Sequence, residues 1–331
     1  MRVSVVIPVF NGANTLAECL TACLAQTYGE FDVIVVDDGS TDETARVAKT
    51  FDVHYLHQEN AGPAAARNRG AWAAQGGIVV FTDSDCIPEA NWIDSLVAGF
   101  DEETVAVGGG YEIANKSSLL ARMIHEEISL RHDRYGDEVD FLGSFNVAYR
   151  RDVFEEVGGF DESFPVASAE DNDLAYRLLD MEGKLRFARE AQVAHYHPTK
   201  LMRYLKTQMM HGYWRMKLYA KHPKRAQTGD RYAGLTDFAA PPLSLLLFVG
   251  LALLVISIAI PGLASWGLGI ALPVGLVYAL TQAGLPLRMM RRSGDPTMLL
   301  FFPVLFLRDL ARAAGMLRGI WTFILMKRGT A

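Results

Sequence analysis

Cysteine is scarce: three in 331 residues, with no Cys-x-x-Cys pair, give no basis for a redox or metal centre built on thiolates. Cys19 and Cys23 lie one helical turn apart with no neighbouring histidine, so they read as small buried residues of an amphipathic helix. No secretory leader is expected either. The first apolar run, Val3 to Val9, is too short for a signal peptide and no small-residue cleavage site follows it, so the first part of the chain is expected in the cytosol. Acidic residues nearly vanish from the second part. Residues 200–331 hold 17 Lys and Arg against 4 Asp and Glu (net +13), whereas residues 1–199 hold 15 against 34 (net −19), together giving the chain's −6. There is no internal repeat and no low-complexity linker; the boundary near Pro198 is a shift of composition. An acidic part with ample residues for a core precedes a basic part with long apolar runs, so only the second reads as a membrane partner.

What is present in the first part is an alternation of strand and helix signals, which favours a largely parallel sheet covered by helices. Val3 to Val9 reads as a buried strand, and Thr15-Leu16-Ala17-Glu18 as a capping box opening a helix to about Gln26. A second strand from Phe31 ends in Asp37-Asp38-Gly39, and Ser40-Thr41-Asp42-Glu43 repeats the capping pattern. Asp37 and Asp38 thus sit at a strand's carboxyl end, where open α/β sheets bind ligands; they either contact a nucleoside or form a turn. Gly62-Pro63 opens the next helix and Gly76-Gly77 closes it. Arg67 and Arg69 lie inside that helix; a guanidinium there can pair with phosphate or a base, although a solvated face is the commoner fate.

Two acidic clusters carry the chemistry. Asp83-Ser84-Asp85 follows the apolar run 78–81, and Glu170-Asp171-Asn172-Asp173 comes much later. Carboxylates at a strand end can hold a divalent cation against a diphosphate, and a separate carboxylate can take a proton from an attacking hydroxyl. Asp173 has Arg177 four residues on, the spacing of an exposed helical ion pair.

In order along residues 3–200, the segments Val5-Val6-Ile7-Pro8-Val9-Phe10-Asn11, Val35-Val36-Asp37-Asp38-Gly39-Ser40-Thr41-Asp42, Gly62-Pro63-Ala64-Ala65-Ala66-Arg67-Asn68, Asp83-Ser84-Asp85, Gly143-Ser144-Phe145-Asn146, Gly158-Gly159-Phe160-Asp161 and Glu170-Asp171 resemble the motifs of glycosyltransferase family 2. The resemblance implies a GT-A nucleotide-sandwich α/β domain with a mostly parallel sheet and inverting transfer of a sugar from a nucleoside diphosphate. By resemblance, Pro8, Val9, Phe10, Asp37, Asp38, Arg67, Asp83 and Ser84 hold the nucleotide, and Asp85 ligates Mn2+ or Mg2+. His195 completes the metal site, being a better match than His197. Asp171 matches the general base, with Glu170 orienting the loop or acceptor, and Gly143, Ser144 and Asn146 form the acceptor side. The Gln-x-x-Arg-Trp motif of polymer-forming members is missing: Gln208 is followed only later by Trp214-Arg215, which favours addition of a single sugar.

In the second part, residues 200–231 carry nine Lys and Arg (Lys200, Arg203, Lys206, Arg215, Lys217, Lys221, Lys224, Arg225 and Arg231) and one acid, Asp230. Large apolar groups lie between them, which suits a helix in the headgroup region, where each basic residue contributes about 1 kcal/mol on an anionic leaflet. This favours an anionic membrane over nucleic acid. Residues 243–260 and 263–287 are uncharged apolar runs broken by Pro261-Gly262, a transmembrane hairpin. Basic clusters outside both runs put its outer ends in the cytoplasm. Residues 298–326 start apolar but carry Arg308, Asp309, Arg312 and Arg318, which favours an interfacial or re-entrant helix over a third span, with Lys327-Arg328 cytosolic.

The expected organisation is therefore a catalytic domain over 1–199, basic interfacial helices over 200–240, the hairpin over 241–287 and a last helix over 288–331. The expected activity is transfer of one sugar from a nucleotide-sugar to an acceptor hydroxyl, on a lipid-linked or other saccharide at the cytoplasmic leaflet of the cell inner membrane. A polyprenyl-phosphate sugar synthase is the nearest alternative; an acceptor phosphate needs less help from a base. A nucleotidyltransferase should carry a basic glycine-rich loop, and Asn11-Gly12-Ala13-Asn14 holds no Lys or Arg. A non-catalytic membrane scaffold would not need both acidic clusters.

Overall fold

The structure, a computed structural model, describes residues 1–228 and 235–326. Asp230, Arg231, Lys327 and Arg328 of the basic clusters lie outside the described residues. Two compact units divide the chain: Met1–Ser117 with Ile128–His197, and Ser118–Glu127 with the chain from Pro198 onward. The composition shift near Pro198 coincides with the unit boundary, but the excursion of residues 118–127 has no counterpart in composition.

The first unit is an eight-stranded sheet: β1 (Val3–Val9), β2 (Phe31–Asp37), β3 (His54–His57), β4 (Ile78–Thr82), β5 (Cys86–Pro88), β6 (Thr104–Ile113), β7 (Asn146–Arg150) and β8 (Lys184–His195). Their spatial order is β3-β2-β1-β4-β7-β6-β8-β5. The first four strands in that order run parallel, whereas β7 pairs antiparallel with both β4 and β6, and β5 antiparallel with β8. β1 and β4 are buried along their whole length, which is why they are unbroken apolar runs without alternation. Helices α1 (Leu16–Leu24), α2 (Thr44–Ala48), α3 (Pro63–Ala73), α4 (Trp92–Ala98), α5 (Leu119–His132), α6 (Arg151–Glu156) and α7 (Glu170–Asp180) complete it, with α5 passing from one unit into the other.

Neither expected capping box forms. Thr15 makes no side-chain cap to α1, and Glu18 instead accepts a 2.6 Å hydrogen bond from the Tyr196 hydroxyl. At α2 the helix begins four residues after Ser40, and Asp42 rather than Ser40 accepts from the Thr44 amide (3.0 Å). Both strand-end loops still turn tightly, because Asn11, at φ 52°, accepts from the Thr41 amide (2.8 Å) and its own amide donates to the Ser40 hydroxyl (2.9 Å).

The second unit is helical: α8 (Leu201–Lys221), α9 (Pro223–Thr228), α10 (Leu235–Ile256), α11 (Ala264–Gln282), α12 (Gly284–Ser293) and α13 (Phe301–Gly319), together with the first turns of α5. Among the described residues two stretches, Thr236–Ile256 and Pro261–Ser293, are long and apolar enough to cross a membrane. Where α8 meets α13 the backbones nearly touch: a Cβ on Gly315 would fall 1.9 Å from the Met209 carbonyl oxygen, and one on Gly212 would fall 2.2 Å from that of Arg312. The charges of α13 are turned inward. Arg308 pairs with Glu127 (2.7 Å) and Asp309 (2.9 Å), and Asp309 accepts from the Tyr278 hydroxyl (2.8 Å), so these groups are buried and mutually satisfied. The same segment of α5 is held by Arg122 to Asp295 (2.7 Å) and Glu126 to Arg292 (3.7 Å).

Candidate active site

The parallel strands β1, β2 and β4 bring Val9, Asp37 and Thr82 to one edge of the sheet, the edge at which α/β sheets take ligands. Pro8 and Val9 close β1, with the Val9 carbonyl accepting from the Asp38 amide (2.8 Å), and Phe10 is left with its ring half exposed. Gly12 passes so close to Ser84 that a Cβ would lie 3.0 Å from its hydroxyl. This puts the loops after β1 and β4 in contact.

Asp37 and Asp38 are both buried, and protein donors fill their carboxylates. Asp37 accepts from the Ser40 amide (2.8 Å) and the Tyr55 hydroxyl (2.6 Å), which together with burial raises the Tyr55 pKa. Asp38 accepts from the Gln58 amide group (2.7 Å) and from the backbone amides of Ala61 (2.8 Å) and Gly62 (2.9 Å). Of the two roles open to them from sequence, turn formation is the one these bonds describe. Gly62 must be glycine here: its φ is 96°, and a Cβ would lie 2.6 Å from the Pro165 carbonyl oxygen.

Arg67 is where the solvated-face expectation fails. Its guanidinium is fully buried, donating to Asp83 (2.8 Å) and to Glu170 (3.1 Å) and lying over the Phe160 ring at 5.6 Å, while Arg69 is the exposed member of the pair. A planar two-pronged cation thus joins the acidic loop after β4 to the start of α7. Ala169, at φ 72°, supplies the sharp entry that turns Glu170 inward at the helix's first position. Glu170 is buried, and its second carboxylate oxygen has no hydrogen-bond partner. Burial first, then the neighbouring charge of Asp171, push its pKa up from 4.5 to about 8 against the pull of Arg67. Asp171, one residue on, is partly open to solvent.

Asp173 does pair with Arg177 (2.9 Å), but the expected exposed pair has its carboxylate buried and its guanidinium only partly exposed. Arg177 also donates to the carbonyls of Val157 and Gly159 (2.6 Å each), so the pair pins the glycine turn before Phe160. Asn68 latches the same turn, donating to the Phe160 carbonyl (2.9 Å) and accepting from its amide (2.8 Å).

A candidate metal site lies where β5 meets β8 with Cys86 opposite His195. The Asp85 carboxylate lies 3.4 Å from His195 Nε2, and the Cys86 thiol is within 4.8 Å of both. Donors that share one cation with bonds of about 2.1 Å stand roughly 3–3.4 Å apart, so the carboxylate and imidazole are close enough to hold a divalent cation between them. Burial, then the charges of Asp85 and Asp83, push the Cys86 thiol pKa well up. Burial opposes charge on His195, but the hydrogen bond and charge of Asp85 outweigh it and raise its pKa. His197 stands behind, its Nδ1 3.2 Å from that of His195, so His195 is the histidine that faces Asp85.

On the expected acceptor side, Ser144 is buried and Asn146 is wholly engaged inside the protein. The Asn146 carbonyl accepts from the Trp92 indole (2.7 Å), and its amide donates to the carbonyls of Gly110 (2.9 Å) and Ala191 (2.8 Å). Each polar atom of the side chain thus has a protein partner, and the residue staples β7 to β6, β8 and α4. Gly143 makes room for a ring: a Cβ would lie 2.3 Å from Phe145, which stacks on Tyr111 at 3.7 Å between centroids. Tyr111 in turn meets His195 edge-on at 5.5 Å. Tyr111, Trp92, Tyr55 and Gln58 escaped the sequence reading because each lies far along the chain from the motif it supports.

Residues 4–158 match the model of glycosyl transferase family 2. A pre-mycofactocin glycosyltransferase of Mycobacterium tuberculosis is 34% identical over 239 residues, covering 67% of this chain and 48% of the relative. A glucosyl-dolichyl phosphate glucuronosyltransferase of Haloferax volcanii is 30% identical over 177 residues, 49% of this chain and 56% of the relative. The chain thus spans about half the length of these curated relatives. A mannosyltransferase of Pyrobaculum calidifontis, solved with GDP-Man and Mn2+, superposes with a TM-score of 0.57 over 97% of this chain and 87% of its own at 21% identity, a likeness of fold. With an α/β sheet of the GT-A kind, the matched motifs and these relatives together, the chain is a member of glycosyl transferase family 2.

Proposed function

We propose that the protein is a membrane-anchored inverting glycosyltransferase that moves one sugar from a nucleoside-diphosphate sugar to a hydroxyl of a lipid-linked saccharide, at the cytoplasmic leaflet of the inner membrane, in cell-envelope glycan assembly. The observation that carries this reading is the Arg67 bridge. One buried guanidinium holds Asp83, beside the metal-binding Asp85, and Glu170, beside Asp171, so the donor and base carboxylates share one rigid frame.

In this reading the Pro8 to Phe10 backbone and the loops held by Asp37 and Asp38 receive the nucleoside. Asp85 and His195 hold the cation, which when bound neutralises charge on the departing diphosphate. Asp171 takes the proton of the acceptor hydroxyl from the side of the anomeric carbon opposite the leaving group. The new glycosidic bond forms as the anomeric carbon–diphosphate bond breaks, and the nucleoside diphosphate leaves with both electrons. Burial and the neighbouring Asp171 push Glu170 toward its neutral form, so Asp171 rather than Glu170 is assigned the base. A hydroxyl acceptor, unlike a phosphate, calls for such a base, and the glucuronosyltransferase relative supplies the class of saccharide on a lipid phosphate. Thr236–Ile256 and Pro261–Ser293 would span the bilayer as a hairpin, with α8 at its anionic surface.

The test is nucleotide release by the detergent-purified protein over a panel of nucleotide-sugars, with Mn2+, Mg2+ or EDTA. Metal-dependent turnover of one donor, lost in Asp85→Ala and Asp171→Ala, is the expected result. If no donor binds in the presence of metal, the reading fails and a scaffold takes its place.

A further inference from the structure

The outward face of α3 carries a second cleft, lined by both apolar and polar groups, that the proposed reaction does not use. Its volume is about 330 Å3, within the range of small-ligand sites, and Gln58, Glu59, Ala61, Ala65, Arg69, Trp72 and Glu162 line it. Ala65, Arg69 and Trp72 are four and three residues apart and therefore share one face of the helix, roughly opposite Arg67. The cleft and the strand-end site back onto the two sides of a single helix.

Its lining combines four chemistries. Trp72 is half exposed, an unusual place for the largest side chain, and its ring is held from behind by Phe154 at 5.6 Å. Two walls are braced: Gln58 by the Asp38 carboxylate (2.7 Å) and Glu162 by the Asn68 amide (2.9 Å). Glu59 and Arg69 are exposed at the rim and complete a ring of acceptors and donors. An aromatic plate with carboxylates, a guanidinium and a carboxamide around it matches a pyranose ring, which has one apolar C–H face and an edge of hydroxyls. The near balance of charge, two carboxylates and one guanidinium, suits a neutral sugar better than a phosphate or a carboxylate.

We propose that this cleft is a saccharide-binding subsite, separate from the donor site, that grips one neutral sugar unit of a glycan. Gln58 also donates to Asp38, so a bound sugar would stiffen the loop that receives the nucleoside. The source of the glycan rests on the glycosyltransferase reading above; the binding itself does not.

Saturation-transfer NMR of the full-length protein in detergent, with the methyl glycosides of glucose, galactose, mannose and N-acetylglucosamine as probes, tests it. Transfer to the ring C–H protons of at least one glycoside is expected, falling at least about fivefold in Trp72→Ala, and recovering in Trp72→Phe. Glu59→Ala, on an exposed side chain that leaves the core untouched, is expected to weaken the same signals. Transfer to none of the four, transfer that survives both Trp72→Ala and Glu59→Ala, or displacement of the glycoside by UDP or GDP with Mn2+ would overturn the proposal. Nucleotide binding on the same samples keeps the two readings apart: its loss speaks against the donor site alone, and loss of glycoside binding against the cleft alone.

Discussion

Replacing Asn146 by alanine is expected to cost stability rather than acceptor recognition. The side chain makes three buried hydrogen bonds, to the Trp92 indole and to the Gly110 and Ala191 carbonyls, across four elements of the catalytic unit. Truncation leaves one donor and two acceptors buried without a partner, about 1 kcal/mol each and about 3 kcal/mol together. For a unit of this size that lowers the melting temperature by roughly 6–12 °C, at about 2–4 °C per kcal/mol. Asn146→Asp sharpens the comparison: it keeps an acceptor for Trp92 but turns a second oxygen toward two carbonyls, so its loss should equal or exceed that of alanine. Thermal unfolding followed by circular dichroism gives the stability, and acceptor KM measured well below the transition gives recognition. An unchanged melting temperature with a raised acceptor KM in both variants would refute the staple and return Asn146 to the acceptor side.

Three further outcomes are expected. Titration calorimetry should show nucleotide-sugar affinity losing its dependence on Mn2+ in both Asp85→Asn and His195→Ala; a variant that keeps the dependence is not a ligand. Glu170 has a folded pKa near 8 against 4.5 for the free group, so the native state holds its proton more tightly than the unfolded chain does. Its favourable contribution is therefore complete below about pH 4.5 and lost as pH rises through about 8, a slope that Glu170→Gln should remove when melting temperatures are compared across that range. Gly315→Val should force α8 from α13, at a cost of about 1–3 kcal/mol or more, read as earlier unfolding of the helical unit in detergent.

The parts of the site that were legible in the sequence are those in which one short segment does the whole job. The run Val3 to Val9 announces a buried strand because both of its faces are covered, and the run 78–81 does the same for the strand that ends just before Asp83-Ser84-Asp85. Where two distant segments share a task, local chemistry misleads. Arg67 looks like a surface arginine until α7 delivers Glu170 to it, and Asn146 looks like a polar group for a ligand until Trp92 takes its carbonyl. The capping boxes fail for the same reason: Glu18 has a better partner in Tyr196, a residue no helix rule could nominate. In α13, hydropathy places Arg308 and Asp309 at a costly depth, but hydropathy does not register direction, and Glu127 and Tyr278 receive them on the protein side.

The allegiance of residues 118–127 decides how this protein can be cut. A soluble fragment ending at His197 follows the obvious boundary, yet it keeps a helical turn whose ionic partners, Asp295, Arg292 and Arg308, have been removed. Ala121, Met123 and Ile124, buried in the intact chain, would then face water beside unmatched charges. Such a fragment should be sticky for a reason unrelated to catalysis, and bridging Ser117 to Ile128 with a short linker, rather than moving the terminus, is the remedy that follows.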